Sequence, residues 1–103
     1  MSVDFFSLDA IDEALIRAER NKARALRKTR WWQQKTATGT CWYCGQKVGY
    51  HNLTMDHVVP LTRGGRSTKD NLVPCCKECN NKKKSSLPVE WEEYMRSLHK
   101  PTE

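Results

Sequence analysis

Four polar side chains in the second half of the chain carry the groups that metal-assisted hydrolysis requires: Asp56, His57, Asn71 and Asn80. A carboxylate and an amide carbonyl are hard oxygen ligands of the kind that Mg²⁺ accepts. On an extended backbone, neighbouring side chains point to opposite faces, so His57 would point away from an ion at Asp56 and be free to take a proton from water. The stretch Leu53–Asn80 is therefore a candidate site for hydrolysis.

Two Cys-x-x-Cys pairs frame this stretch, Cys41 with Cys44 and Cys76 with Cys79. Each pair can place two thiolates on one side of a tetrahedral ion, so the spacing predicts a structural zinc site with four sulfur ligands. Such a site is closed and cannot activate water, so the chemistry must come from the polar side chains. Cys75 is left over. A pairing of Cys75 with Cys79 stays open, and a small buried apolar side chain is the plainer interpretation of Cys75.

The composition of the whole chain points to one small basic domain. Its 103 residues are 38% hydrophobic, which allows only a modest core, so a metal staple would add much to stability. Because 18 Lys and Arg outweigh 12 Asp and Glu, the formal charge is +6, and this excess suits a polyanionic partner such as nucleic acid.

Cysteine usage and hydropathy bear on the compartment. An odd count of five cysteines, arranged in pairs and with no apolar signal segment after Met1, argues against a secreted disulfide framework and predicts a reducing cytoplasm. No apolar run reaches the roughly 18 residues that a membrane span requires, so a spanning role is excluded, whereas a role at a membrane surface stays open.

The first forty residues are predicted to form a basic helical arm. Asp9 is a candidate N-cap, and apolar residues follow at helical spacing, namely Ile11, Leu15, Ala18 and Leu26. Cations fill the later turns, and Arg20, Arg24 and Arg27 are the candidates for contacting phosphates. A simple solvated helix face is an equally weighted interpretation.

The candidate site is predicted to lie on two strands and a short helix. Alternation from Val48 through Leu53 predicts a strand running into Asp56 and His57, and residues 71–74 form a second extended piece that Pro74 would end. A short helix should begin near Cys76.

A further helix is predicted beyond Pro88, with Pro101 past its end. An apolar stripe of this helix is expected to be core: Val89, Trp91, Tyr94, Met95 and Leu98. The sequence thus predicts one domain over 1–103, made of an arm (1–40), a zinc-stapled core (41–84) and a C-terminal helix (85–103).

The motif residues resemble the HNH endonuclease family, whose order of Asp or His followed by His, then Asn, then His or Asn matches Asp56-His57, Asn71 and Asn80. The resemblance covers roughly 41–84 and extends to further positions, namely Pro60, Gly64-Gly65, Leu72 and Lys83. It implies a small α+β fold with a ββα-metal core.

The resemblance also implies the roles of the site residues. His57 would be the general base, Asp56 and Asn80 would bind one catalytic divalent ion, and Asn71 would hold the loop that carries His57. Asn80 stands where many relatives carry histidine, so the chain resembles the H-N-N branch. An amide binds transition metals less tightly than imidazole, which favours Mg²⁺ or Mn²⁺ as the activating ion.

These expectations describe an enzyme that cleaves double-stranded DNA. Cations near the site would hold the phosphodiester, with Lys83 as the first candidate, and the candidates are Arg63, Arg66, Lys82, Lys83 and Lys84. With one Asp56/His57/Asn80 set per chain, we expect a monomer that nicks one strand and leaves a 5′-phosphate and a 3′-hydroxyl.

Two other interpretations stay open at this point. A zinc module that binds nucleic acid without cleaving it would need the cysteines and the cations but none of the four polar motif residues. A zinc-built protein-interaction domain would explain the cysteines alone.

Overall fold

The structure, a computed structural model, describes the backbone of residues 2–84 and 86–98, and the side chains from residue 13 onward within those ranges. The described residues form four helices and a two-stranded antiparallel sheet, which confirms the small α+β class. In chain order the elements are α1 (Ser2–Arg27), α2 (Arg30–Thr36), β1 (Leu53–His57), β2 (Leu72–Cys76), α3 (Lys77–Lys83) and α4 (Pro88–Leu98).

The β1–β2–α3 unit forms the predicted ββα core. Leu53 of β1 lies opposite Cys76 of β2, and His57 lies opposite Leu72. Helix α3 follows β2 without a loop, because the Cys76 Sγ caps it by accepting the backbone N–H of Cys79 at 3.4 Å. The order of elements brings the end of β1 beside the start of α3, where the candidate ligands lie.

Two details of the predicted strands are wrong. The first strand begins only at Leu53, since residues Tyr50–Asn52 form a 3₁₀ turn. The second strand runs through Pro74 to Cys76 instead of ending at the proline. The Pro74 carbonyl accepts the N–H of Trp42 at 2.8 Å, so the polar backbone atoms of Pro74 face away from β1. A missing N–H on that outer edge removes no hydrogen bond from the ladder.

The arm is two helices with an unexpected buried face. Helix α1 begins at Ser2 instead of after Asp9. It ends at Arg27, and a second helix, α2, begins at Arg30 with Thr29 as its N-cap. Leu15 and Ala18 are exposed and Leu26 is half-buried; Ile11 lies outside the side chains that the structure describes. Among the side chains of α1 that the structure describes, from residue 13 onward, Glu19 and Ala23 are buried instead, and they lie one turn apart. This face packs on a polar loop, for which a carboxylate is a suitable partner.

The core is small and is centred on the cysteines. Cys41, Cys75, Cys76 and Cys79 pack with Trp91 of α4, whose ring meets the Tyr43 ring edge-on at 5.5 Å between centroids. The rest of the predicted apolar stripe of α4 is more exposed than expected: Met95 is half-buried, and Val89, Tyr94 and Leu98 are exposed. One helical turn is enough to cover a core of this size.

Candidate active site and metal centre

The four cysteines of the two pairs converge as predicted. Their Sγ atoms all lie within 4.8 Å of one another, and those of Cys44 and Cys76 are 3.9 Å apart. Zinc–sulfur bonds of about 2.3 Å in a tetrahedron place the sulfurs about 3.8 Å apart, so the cluster fits a metal ion of this kind. Gly45 follows the first pair with φ of +75°, which glycine adopts without strain.

Backbone amides stabilise the sulfurs of this cluster. Burial opposes ionisation of Cys41, but hydrogen bonds from the backbone of Cys44, Cys76 and Tyr43 outweigh it and lower the Cys41 pKa to about 7. Burial raises the pKa of Cys79. A metal ion would therefore displace a proton from Cys79 when it binds.

Cys75 takes no part in the cluster. It is fully buried, its Sγ donates to the Cys76 carbonyl, and burial raises its pKa. The structure thus favours the Cys76/Cys79 pairing over Cys75/Cys79, and Cys75 has the expected character of a small core side chain.

Asp56, His57 and Asn80 line one open cavity of about 480 Å³. Asp56 and His57 come from the end of β1 and Asn80 from the first turn of α3. Two cations complete the rim, Arg20 of α1 and Lys84 at the end of α3. The cavity therefore combines oxygen ligands, an imidazole and positive charge, as a phosphodiester substrate requires.

The Asp56 carboxylate is buried, and one of its oxygens is held by two neighbours. Oδ2 accepts a hydrogen bond from the Tyr43 hydroxyl at 2.6 Å and lies 3.3 Å from the Lys83 ammonium. Burial and the bond to Asp56 raise the Tyr43 pKa, which keeps this phenol a donor. Because both contacts use Oδ2, the other carboxylate oxygen, Oδ1, is the one that could bind a metal ion.

Asn80 is oriented by Thr54 of β1. Its Nδ2 lies 3.3 Å from the Thr54 Oγ1, so the amide carbonyl oxygen is the atom that could bind a metal ion. A carboxylate oxygen and an amide oxygen are hard donors, and water can complete the shell, so the residues fit Mg²⁺ or Mn²⁺.

His57 is half-buried, and its Nε2 lies 2.9 Å from the Ser67 hydroxyl. Burial is the main cause that lowers its pKa below the usual 6.5, and the charges of Lys83 and Arg20 add to this effect, while Asp56 and Glu19 oppose it. At neutral pH the imidazole is uncharged, which is the form that a general base needs.

Asn71 binds the loop that follows His57. Its Oδ1 accepts the N–H of Val59 at 2.8 Å, and its Nδ2 donates to the carbonyls of Val59 at 3.1 Å and Arg66 at 2.8 Å. The neighbouring Gly65 packs so tightly on Val59 that an added Cβ would lie 1.8 Å from the Val59 oxygen. Asn71 therefore contacts the backbone of the loop at both Val59 and Arg66.

The predicted DNA-contacting cations fall into different environments. Arg63, Arg66 and Lys82 each contact a carboxylate, that of Glu90, Glu19 and Glu78 respectively. Arg20 lines the cavity, and Arg24 and Arg27 are exposed on α1.

Lys83 differs from the expectation. Its side chain is fully buried, with the ammonium between Asp56 and the His57 carbonyl at 3.1 Å. In this position it cannot reach a phosphate on the surface. Its neighbour Lys84, at φ of +48°, is the α3 lysine that lines the cavity.

Three residues that the sequence analysis did not select also support the site: Glu19, Ser67 and Tyr43. Glu19 lies in a helix with many cations, where a single carboxylate is not unusual. Tyr43 lies between Cys41 and Cys44, where the cysteines alone explain the motif. The sequence around these two residues therefore does not indicate a role in the site. Ser67 follows the Gly64-Gly65 loop and has only the ordinary sequence of a turn. Their roles depend on contacts between residues far apart in the chain.

The family model of the HNH endonuclease matches residues 41–94. This match covers more than half of the chain, and the chain therefore belongs to the HNH endonuclease family. The match extends past the expected end at residue 84 and includes most of α4 and Trp91.

Individual proteins are similar over about half of the chain. The CRISPR-associated endonuclease Cas9 of Actinomyces naeslundii is 38% identical over 52 residues, which are 50% of this chain and 5% of that protein. Cas9 of Corynebacterium diphtheriae has the same identity and coverage. The type IV methyl-directed restriction enzyme EcoKMcrA of Escherichia coli is 33% identical over 55 residues, 48% of this chain and 20% of that protein. The chain thus spans only a small part of each relative's length.

Among the described residues, no helix has the length and apolar character needed to cross a membrane.

Proposed function

We propose that this protein is a metal-dependent endonuclease that hydrolyses phosphodiester bonds of double-stranded DNA. The observation that carries the proposal is the shared cavity of Asp56, His57 and Asn80, with Arg20 and Lys84 at its rim. Membership of the HNH endonuclease family and similarity to the endonuclease Cas9 and to a methyl-directed restriction enzyme support it.

Asp56 and Asn80 would hold one Mg²⁺ or Mn²⁺ ion through a carboxylate and an amide oxygen. When bound, such an ion stabilises charge on the phosphate and on the 3′-oxygen that leaves. Tyr43 and Lys83 hold the Asp56 carboxylate in place for this purpose.

His57 is proposed as the general base that takes a proton from the attacking water. Its uncharged form at neutral pH supports this role. Asn71 would keep the loop after His57 in a fixed conformation, and Arg20 and Lys84 would attract the phosphodiester.

Zinc is proposed as the ion of the four-cysteine cluster. It would join residues 41–44 to the β2–α3 corner and contribute free energy of folding directly. We propose a reducing cytoplasm for the protein because its five cysteines are odd in number and four of them form Cys-x-x-Cys pairs, and such a compartment keeps metal-binding thiols reduced.

One active site per chain leads us to propose a monomer that nicks one strand, giving a 5′-phosphate and a 3′-hydroxyl. A time course on supercoiled plasmid at limiting enzyme tests this. Open circles should accumulate before linear DNA, and linear DNA without that phase would show concerted cutting by a pair of sites.

The function itself is tested by incubating zinc-loaded protein and supercoiled plasmid with Mg²⁺ or Mn²⁺. We expect cleavage that EDTA prevents and that Asp56→Ala and Asn80→Ala reduce strongly. A gel shift with plasmid left intact under all metal conditions would instead identify the non-catalytic nucleic-acid-binding module.

A further inference from the structure

Helix α1 reaches the candidate base through Ser67. The Ser67 hydroxyl lies 2.9 Å from Nε2 of His57 and 2.5 Å from the backbone carbonyl of Glu19. Ser67 and Glu19 are both buried, with 6% and 3% of their surfaces exposed. The three groups therefore form a short hydrogen-bonded chain in which Ser67 and Glu19 are buried and His57 borders the cavity.

The direction of these hydrogen bonds follows from counting protons. A carbonyl oxygen only accepts, so the single hydroxyl proton of Ser67 is donated to Glu19. The hydroxyl can then only accept from His57, which requires a proton on Nε2. In the neutral imidazole the other nitrogen, Nδ1, carries no proton.

We propose that Ser67, held by Glu19 of α1, is a positioning residue that fixes His57 in the Nε2-protonated tautomer and makes Nδ1 the atom that accepts the proton of water. The catalytic part of this inference rests on the proposed function. The tautomer itself follows from hydrogen bonds and can be tested separately.

Glu19 holds Ser67 through its side chain as well as its backbone. Its Oε1 accepts the Ser67 N–H, and its Oε2 lies 3.1 Å from Arg66 Nε and 3.0 Å from Lys22 Nζ. The bond from the Ser67 backbone, followed by those from Lys22 and Arg66, lowers the Glu19 pKa to about 2. The carboxylate is thus charged throughout the neutral range and binds the two residues that follow the Gly64-Gly65 loop.

This arrangement makes α1 part of the active site. The helix lies outside residues 41–94, which the family model matches, so the contact comes from this chain's own arm. In a neutral imidazole only the nitrogen without a proton can accept one, so the tautomer decides which ring atom can act as the base. Residues 66 and 67 lie in a loop, and their contacts with Glu19 attach this loop to the rigid helix α1.

The tautomer test uses the zinc-loaded full chain, labelled with ¹⁵N on histidine. Long-range ¹H–¹⁵N spectra distinguish the two ring nitrogens, and His57→Gln identifies the His57 signals. We expect a protonated Nε2 in the wild type and a mixture of tautomers in Ser67→Ala. Ser67→Thr, which keeps a hydroxyl, should restore the wild-type pattern.

Kinetics of the same variants on plasmid with Mg²⁺ complete the test. Loss of a partner that orients a site residue typically costs about 10–100-fold, and we expect this loss in kcat for Ser67→Ala with KM little changed. Ser67→Thr should recover most of kcat. Ser97→Ala, a hydroxyl loss on exposed α4, is the matched control and should match the wild type.

A wild-type His57 protonated on Nδ1 alone would overturn the inference, and so would a Ser67→Ala protein with unchanged tautomer, whether or not kcat falls. The wild-type spectrum decides the tautomer even if Ser67→Ala does not fold. A wild type that shows the Nε2 proton but never cleaves DNA would overturn the proposed nuclease function and leave the assignment of the tautomer standing.

Discussion

The buried ion pair of Asp56 and Lys83 determines how the carboxylate is presented to the cavity. Lys83 has no exposed side-chain surface, and Asp56 has 8%. The ammonium also donates to the His57 carbonyl, so one side chain ties together the two adjacent motif residues. Lys83 therefore holds Asp56 and the His57 backbone from the buried side of the site, whereas the sequence analysis expected it to contact DNA.

Lys83→Met should destabilise the protein strongly, because it leaves the Asp56 charge buried without its partner. Removal of one member of a buried pair costs about 3–5 kcal/mol in unfolding free energy. Urea denaturation in excess zinc measures this. Lys82→Met is the control, since its pair with Glu78 is exposed and contributes about 0–1 kcal/mol. Equal stability of the two variants would argue against a structural role for Lys83.

The pH dependence of cleavage should reflect the buried imidazole of His57. Burial and the charges of Lys83 and Arg20 lower its pKa against the opposing charges of Asp56 and Glu19. The pKa of the base therefore lies below 6.5, and the acid limb of kcat/KM should have its midpoint below that value. The unfolded chain binds this proton more readily, so the contribution of His57 to stability is lost as pH falls below 6.5. A midpoint above 6.5 would contradict the burial argument.

Among the elements, α4 covers the cluster of four cysteines. Trp91 packs on the cysteines and Tyr43, whereas Val89 is 65% exposed. The extension of the family match to residue 94 includes this helix.

Trp91→Ala should lower the unfolding free energy of the zinc-loaded protein by about 3–5 kcal/mol, because it opens a large cavity in a small core. Val89→Ala on the same helix should stay within about 0.5 kcal/mol of the wild type. Denaturant titration of both variants measures the difference. If both changes cost the same, α4 would be no part of the core.

The sequence was sufficient to predict the elements whose signals are local. The cysteine spacing predicted the sulfur cluster, and the order of extended and helical segments predicted β1, β2 and α3. The buried face of α1 was not predictable, because periodicity follows apolar residues and Glu19 is buried by a partner 48 positions away. Pro74 was misread as the end of a strand because the sequence does not show which edge of the sheet it faces. Lys83 likewise lies between two other lysines, and nothing in the sequence distinguishes the buried lysine from its exposed neighbours.

At the scale of the whole molecule, the positive charge of +6 suits the phosphate backbone of DNA. Arg20 connects the basic arm to the cavity, and Arg24 and Arg27 lie further along α1. Helix α1 is therefore proposed both to support His57 and to bind DNA.

The triple variant Arg20→Ala, Arg24→Ala, Arg27→Ala should bind duplex DNA more weakly and with a smaller salt dependence. Each phosphate contact that is lost reduces the slope of log K against log salt by about 0.9. Fluorescence anisotropy across a salt series in Ca²⁺, without cleavage, measures the slope. Lys47→Ala, an exposed cation outside the arm, is the control. A triple variant with the wild-type slope would mean that the arm is only solvated.

The central claim, that His57 is the base of a nuclease, is tested most directly by single-turnover cleavage of plasmid with Mg²⁺ at saturating enzyme. His57→Ala should cleave about 10²–10⁴-fold more slowly than the wild type while binding DNA equally well. His51→Ala removes an exposed imidazole that stacks on Tyr50 at 3.9 Å and should cleave at the wild-type rate. A zinc-loaded His57→Ala protein that cleaves as fast as His51→Ala would contradict the account.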